Sequence, residues 1–252
     1  MTTPRIFVDE MPTTTGTIKI NEERIHYLKN VLRLKAGAKL FLSSHNSECE
    51  VRILQIATHE IEVEKIKESS FLARQCTITV CQALLKSDKI DLIVQKITEL
   101  GVAKFIPFVA HRSVARYEKE KAYARVERWR KISKEATRKS YRHDMLEVEQ
   151  IVEFAEALKL LSANAQKIIF WEEENEIFFK NIINDNKFSC ATDICFIVGP
   201  EGGLTHQEVE LAKENGFVSV SLGDALLNAE TATIAVSAII AYEKDIFGGV
   251  RK

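Results

Sequence analysis

Residues 194–217 read ICFIVGPEGGLTHQEVELAKENGF, and the organisation of the whole chain can be worked outward from them. The run ICFIV is short, apolar and rich in Ile, Val and Phe, which predicts a buried strand. GPEGGL then places three glycines around one proline and one glutamate. The segment THQEVELAKENGF after it has the start and stop signals of a helix that ends at Asn215-Gly216. A strand that runs through a glycine loop into a helix is usually built to bind something.

The same rhythm extends on both sides. Upstream, TITVCQALL predicts a strand and SDKIDLIVQKITELG a helix, with Ser87 as N-cap candidate and Gly101 just past its end. KFIPFVA follows as a strand, then a long basic helix over roughly 119–139, a short strand MLEVEQ, a helix EFAEALKLL, a strand KIIFW and a helix around 174–183. Downstream come the strand FVSVSLG and a last helix, ETATIAVSAIIAYEKDIF. Alternation of this kind implies an α/β fold with a mostly parallel sheet and helices on both faces.

Residues 6–66 read differently. RIFV, GTIKI, KLFLSS, CEVRILQIA and EIEVEKI are brief alternating runs, interrupted by one helix, NEERIHYLKNVLRL, with Asn21 as its cap candidate. Short strands around a single helix suggest a small β-barrel. The boundary falls at about residue 73, giving domains over 1–73 and 74–252.

At 252 residues, 46% hydrophobic and 28% charged, the chain can bury a substantial core and has none of the marks of a disordered protein. The longest apolar run near its end, TIAVSAIIAY, is about half of the roughly 20 residues that cross a bilayer. MTTPRIFVDE has no apolar segment of signal type, so a cytoplasmic location is expected. The five cysteines are scattered without metal-ligand spacing, fitting reduced thiols, and no metal site is visible. The net charge of −1 conceals a segment, residues 111–143, with twelve Lys or Arg against four Glu. A charge run is most often a solvated helix face, but an excess of eight positive charges is large enough to be a footprint for a polyanion.

GPEGGL is neither the G-x-G-x-x-G of a dinucleotide site nor a phosphate loop, since it lacks G-K-[ST]. A second glycine, in SLGDALLNAETATIAV, also lies between a strand and a helix. Two such loops could flank one ligand, with backbone groups reading an adenine edge and Leu222, Leu226 and Leu227 covering its faces. Each loop alone could equally be an ordinary turn with glycine at positive φ.

GPEGGL, KSDKIDLIVQKITELGV, ERWRKISKEATRKSYR and LGDALLNAETA, taken in order, resemble the RsmE family of ribosomal RNA methyltransferases, of the SPOUT class. PRIFV and HYLKNVLRLKAG look like the opening of that family's PUA-like RNA-binding domain. The resemblance covers nearly the whole chain. It implies a SPOUT trefoil-knot domain preceded by a small PUA-like β-barrel, dimerisation through the C-terminal domain, and formation of 3-methyluridine in 16S rRNA of the 30S subunit from S-adenosylmethionine. Gly199, Pro200, Glu201, Gly202, Gly203, Leu222, Gly223 and Leu227 would line the cofactor pocket. Arg112, Arg138 and Arg142, with Arg5, His26 and Arg33 in the barrel, would contact RNA, although His26 could equally be a packed or surface histidine.

Methyl transfer from a sulfonium to a ring nitrogen needs donor, acceptor and leaving sulfur in line, and the uracil N3 proton must leave before or during attack. A carboxylate or cation is therefore expected near the methyl. Glu230, which would shape the knot loop or handle the proton, and Asn228 are the catalytic candidates. Asn228 stands where the family commonly has an arginine; it donates hydrogen bonds without supplying charge. Lys139 likewise replaces a common glutamine. Trp129 and Tyr141 could stack on bases, although an aromatic on a helix is more often core. Action on another RNA site, ribose 2′-OH or a tRNA base, or a catalytically inactive assembly factor, remain alternatives at this point.

Overall fold

The computed structural model describes residues 3–8, 11–12, 14–20, 25–44, 47–70, 76–140, 142 and 144–246. Contacts divide the chain into two compact units, Met1–Ala73 with Thr137–Asp144, and Arg74–Ala136 with Met145–Lys252.

The first unit is one five-stranded sheet: β1 (Arg5–Phe7), β2 (Thr15–Lys19), β3 (Lys39–Ser43), β4 (Ser47–Ile56) and β5 (Glu60–Ser70), in the order β1-β3-β4-β5-β2. β1 runs parallel to β3 and the other pairs are antiparallel. Alternate residues of the strands, among them Leu40, Leu42, Val51, Ile53, Ile61 and Val63, meet in a single cluster. A period of two on every strand sends one face of the sheet into a shared interior. The helix expected over 21–34 is only partly present among the described residues, and its cap candidate Asn21 lies outside them. Tyr27–Val31 form a π-helical turn in which Leu32 N–H donates to Tyr27 O at 2.9 Å. Arg33, at φ 52, takes the left-handed conformation just beyond it, so the chain leaves the helix before Leu34.

The second unit carries β6 (Thr77–Ala83), β7 (Lys104–Val109), β8 (Glu147–Val148), β9 (Val152–Glu153), β10 (Gln166–Phe170), β11 (Asp193–Val198) and β12 (Val218–Val220). Their order is β12-β10-β11-β6-β7-β8, with β9 beside β7, and each pairing is parallel. Helices α1 (Ser87–Leu100), α2 (Lys119–Lys139, of which Thr137–Lys139 count with the first unit), α3 (Phe154–Lys159), α4 (Phe179–Ile183), α5 (Asn186–Cys190), α6 (His206–Glu214) and α7 (Ala229–Glu243) complete it. Along β11, Ile194, Phe196 and Val198 join one apolar cluster with residues of α1, α2, α5 and α7, while Cys195 and Ile197 join another with α3 and α6. Burial on both faces is why ICFIV is apolar without alternation.

Three local details separate pattern from structure. α1 begins one residue earlier than expected: Lys86 holds the extended cap conformation and Ser87 is already helical, whereas Gly101 ends the helix at φ 88 as expected. The helix anticipated around 174–183 is delayed to Phe179 because the Glu174 carboxylate accepts the N–H groups of Asn175 at 3.1 Å and Glu176 at 3.0 Å. Those bonds hold its pKa down, Glu176 N–H contributing most, and they offer the backbone an alternative to a helical turn. Pro107 is tolerated inside β7 because it faces the gap between β8 and β9. Phe105 O, on that same side, accepts Glu149 N–H at 3.0 Å, and two residues further on β7 needs no donor.

Candidate active site

The carboxyl ends of β10, β11 and β12 converge on a cavity of about 420 Å³, the position where ligands bind in open parallel sheets. Its wall comes from residues 170–172, 198–203 and 221–229, with Ala232 behind them. All eight residues singled out for cofactor binding, Gly199 to Gly203, Leu222, Gly223 and Leu227, lie on this wall, and so does Asn228. The volume lies in the range of small-molecule sites, roughly 300–1,000 Å³.

The first loop is tight for identifiable reasons. Gly203 N–H donates to Pro200 O at 2.9 Å, closing a turn. Gly203 sits at φ 71, and an added Cβ would lie 1.6 Å from Glu172 Oε1. At Gly199 a Cβ would come within 2.9 Å of Leu204 Cγ, a fully buried side chain. Gly203 is therefore required by its conformation and Gly199 by close approach. Beneath the loop lies Gln82, buried at the end of β6, whose amide donates to Ala83 O at 3.0 Å and faces Val198 O and Gly199 O at 3.4 and 3.3 Å. The Thr233 hydroxyl of α7 bonds to Gln82 Oε1. One amide thus ties β6, the end of β11 and the last helix together.

On the outer side, α6 starts with a reciprocal capping box between Thr205 and Glu208. Glu208 Oε1 also accepts His111 N–H at 2.8 Å, which sets the backbone beside Arg112, and Arg112 Nη1 donates to Gly202 O at 3.0 Å. A Cβ on Gly202 would touch Arg112 Cβ at 3.3 Å, so this loop too is closely approached. Arg112 is exposed at the cavity rim.

Glu230 is not on the cavity wall. Lys89 Nζ, from the first turn of α1, lies 3.1 Å from Glu201 Oε1 and 3.3 Å from Glu230 Oε2. Glu230 adds to the pairing less strongly than Glu201 does. The hydrogen bond to Glu201 is the main reason the Lys89 ammonium pKa is raised. Lys89 therefore joins the glycine loop to the first turn of α7. Lys89 is not among the site residues expected from the sequence, although a cation in the first turn of a helix runs against the helix dipole and so marks it. Gln82 carried a similar signal as the polar residue inside TITVCQALL. Asn228 occupies the N-cap position of α7 without a side-chain capping bond and is exposed.

The remaining candidates divide between the units. In the first, Arg5 pairs with Glu48 and lies over the Phe41 ring at 5.5 Å. His26 and Arg33 are exposed. Arg138 lies over the Tyr27 ring at 5.4 Å, and Arg142 Nη2 is 3.8 Å from Asp144. Trp129 is fully buried, edge-on to Phe105, and donates to Asp91 Oδ1 at 3.1 Å, so it is core and not a stacking platform. Tyr141 lies outside the described residues. Among the described residues there is no cluster of His, Cys, Asp and Glu able to hold a metal, and no helix is long and apolar enough to cross a membrane.

The cavity combines backbone polar groups of two loops, leucines 222, 226 and 227, and the carboxyl groups of Glu172, Glu201 and Asp224. Such a wall suits a small molecule that carries both a flat ring and a positive centre.

Comparison with known proteins agrees with this geometry. Residues 73–241 match the model of an RNA methyltransferase domain and residues 20–66 that of an RNA methyltransferase PUA domain. The chain is 31% identical to ribosomal RNA small subunit methyltransferase E of Bacillus subtilis, over 96% of this chain and 94% of that protein. It is 30% identical to the protein of the same name from Rickettsia conorii, over 93% of each. The crystal structure of the Neisseria gonorrhoeae ribosomal RNA small subunit methyltransferase E bound to S-adenosyl methionine superposes with a TM-score of 0.81 at 27% identity, covering 96% of this chain and 98% of that one. With a family model spanning most of the chain and relatives matched nearly end to end, this protein belongs to the ribosomal RNA small subunit methyltransferase E family.

Proposed function

We propose that this chain transfers the methyl group of S-adenosylmethionine to N3 of a uridine in 16S rRNA, as a cytoplasmic homodimer acting on the 30S subunit. The observation that carries the reading is the convergence of the 199–203 and 222–228 loops on one cavity at the carboxyl ends of three parallel strands. Backbone groups and leucines there would hold the adenosyl portion, and the Glu172, Glu201 and Asp224 carboxylates complement the positive charge of the sulfonium. When bound, the cofactor supplies an electrophilic methyl group. The chain's own part is to orient it, keep water away from it and present the uridine in line.

Asn228 stands at the mouth of α7 with no capping bond of its own, so its amide is available to donate to a uracil carbonyl as charge develops on the ring. Arg112, held by Gly202 O, brings positive charge to the rim. Glu230 is engaged by Lys89, which favours a part in shaping the loop over a part in moving the proton. Exposed Ile239 and Tyr242 on α7 are apolar groups that a second copy would cover.

The test is methyl transfer from labelled S-adenosylmethionine to 30S subunits from cells lacking this protein, followed by nucleoside analysis. Label in 3-methyluridine of 16S rRNA supports the reading; label in a ribose-methylated nucleoside, or no label in 30S subunits while tRNA from the same cells is methylated in a parallel reaction, overturns it. Glu230→Gln then assigns that residue: turnover is expected to persist if Glu230 shapes the loop and to vanish, with cofactor binding intact, if it handles the proton.

A further inference from the structure

Away from the cavity, the second unit has a groove of about 410 Å³ lined by Tyr117, Lys121, Ala124, Arg125 and Arg128. Lys121, Arg125 and Arg128 follow the i, i+4, i+7 spacing that puts side chains on one stripe of a helix, here the N-terminal half of α2. Ala124, small and exposed, leaves the floor between them open. Two of the three cations are held in place. The Arg125 guanidinium lies over the Tyr117 ring at 5.5 Å. Arg128 reaches Asp91 Oδ2 at 2.6 Å, and that contact is the main cause of its raised pKa. Asp91 also accepts from the buried Trp129 indole, so the stripe is fixed to the core.

A solvated helix face would present mobile cations with no concavity between them. Three cations around a depression, one stacked on an aromatic ring and one braced by a carboxylate, form instead a surface with little side-chain freedom left to lose when an anion binds. None of the described residues that line the groove carries a carboxylate, and Asp91 reaches it only through Arg128, so the lining keeps a positive excess. Guanidinium pairs and a lysine are the donors that take phosphate oxygens.

The groove is also connected to the cavity by short segments. Asp91 and Lys89 lie two residues apart on α1, the first holding Arg128 and the second Glu201 and Glu230. The segment 112–117 runs from Arg112, bonded to Gly202 O, to Tyr117 in the groove. Groove and cavity are thus braced by the same two short segments.

We propose that the Tyr117–Lys121–Arg125–Arg128 groove binds the phosphate backbone of the RNA strand that flanks the target nucleotide, as a contact of the methyltransferase unit itself. The proposal rests on the reading of the chain as an rRNA methyltransferase. Phosphate contacts position a strand without reading its sequence, so the groove sets the approach of the substrate and leaves the choice of nucleotide to other contacts.

The test compares two doubly substituted full-length proteins, Lys121→Gln/Arg125→Gln in the groove and Lys131→Gln/Lys134→Gln further along the same helix, which lose equal charge. Binding to 30S subunits is measured against salt concentration, and S-adenosylmethionine binding by calorimetry. Each phosphate contact contributes about 0.7–0.9 to the slope of log K against log salt, so the groove variant is expected to lose roughly 1.5 from it. That is about an eightfold difference in relative affinity between about 50 and about 200 mM salt. Cofactor affinity and melting temperature should match the unsubstituted protein. An unchanged slope, or equal loss in both variants, overturns the groove while leaving the proposed reaction intact. Failure of the unsubstituted protein to bind or methylate 30S subunits removes the reading on which the groove rests.

Discussion

Gly203→Ala separates the two demands the glycine loop makes. Gly203 sits at φ 71, where an L residue costs about 1–2 kcal/mol relative to glycine. Its new Cβ would also lie 1.6 Å from Glu172 Oε1 and 2.7 Å from Cδ. Glu172 is exposed, so its carboxylate relieves the clash by swinging roughly 2 Å off its present place on the cavity wall. The protein is expected to remain folded with a melting temperature lower by roughly 2–8 °C, as 1–2 kcal/mol implies for a domain of this size. Affinity for S-adenosylmethionine should fall further than that loss of stability explains. In the double substitution Glu172→Ala/Gly203→Ala the clash is gone and the conformational cost remains. It should keep the lowered melting temperature, while its affinity, now without the Glu172 carboxylate on the cavity wall, should be no better than that of the single variant. Differential scanning calorimetry and isothermal titration on the three proteins decide the matter. A single variant that melts and binds as the parent does, or a double variant that binds as the parent does, would refute the reasoning.

Thr233→Val removes the hydroxyl that bonds to Gln82 Oε1 and leaves a buried acceptor unpaired; a loss of about 1–3 kcal/mol in denaturant unfolding is expected. Lys89→Met should weaken cofactor binding by freeing Glu201 and Glu230 from each other, with Lys89→Arg retaining more of it; equal binding by Met and parent would remove the clamp. Of the five cysteines only Cys190 is exposed, so a thiol reagent should label one site per chain in the folded protein, and faster labelling of others would contradict the burial. Desolvation pushes the Cys195 thiol up to about 12, and Cys81 also well above its ordinary value. Both stay protonated when folded and ionise near pH 9 when unfolded. Stability from them is therefore whole below about pH 9 and declines above it, by roughly 1–2 kcal/mol per pH unit for each thiol, until the folded pKa is reached. An alkaline unfolding series that stays flat from pH 9 to pH 11 would rule this out.

Much of the architecture was legible in the chain because it depends on local chemistry. Periodicity located the strands of both units apart from the two-residue β9, since a residue's burial on a strand or helix repeats with the geometry of that element. Thr205, Gly101 and Asn215-Gly216 mark helix ends by satisfying or releasing specific backbone groups, and those ends are where they were expected. The cavity-lining loops were also readable, because glycine beside the carboxyl end of a parallel strand reflects a need for close approach. Local rules failed where a distant or competing group intervened. Glu174 diverted the backbone of 175–177 from a helix, and the turn at Tyr27–Val31 gave way to a left-handed Arg33.

Tertiary structure alone decided which charged groups meet. Lys89 lies more than one hundred residues from Glu201 and Glu230 in the chain, yet one ammonium bridges both. Trp129 on a basic helix reads either as core, the commoner case, or as a stacking platform, and the contact of its buried indole with Asp91 decides for core. Likewise, an excess of positive charge over residues 111–143 is a property of composition, whereas a groove with its cations ordered by Tyr117 and Asp91 is a property of packing. Hydrophobic periodicity is written along a single element. An ion pair or a stacked guanidinium depends on how two elements are placed in space, and the chain acquires that information only when its sheet and helices assemble.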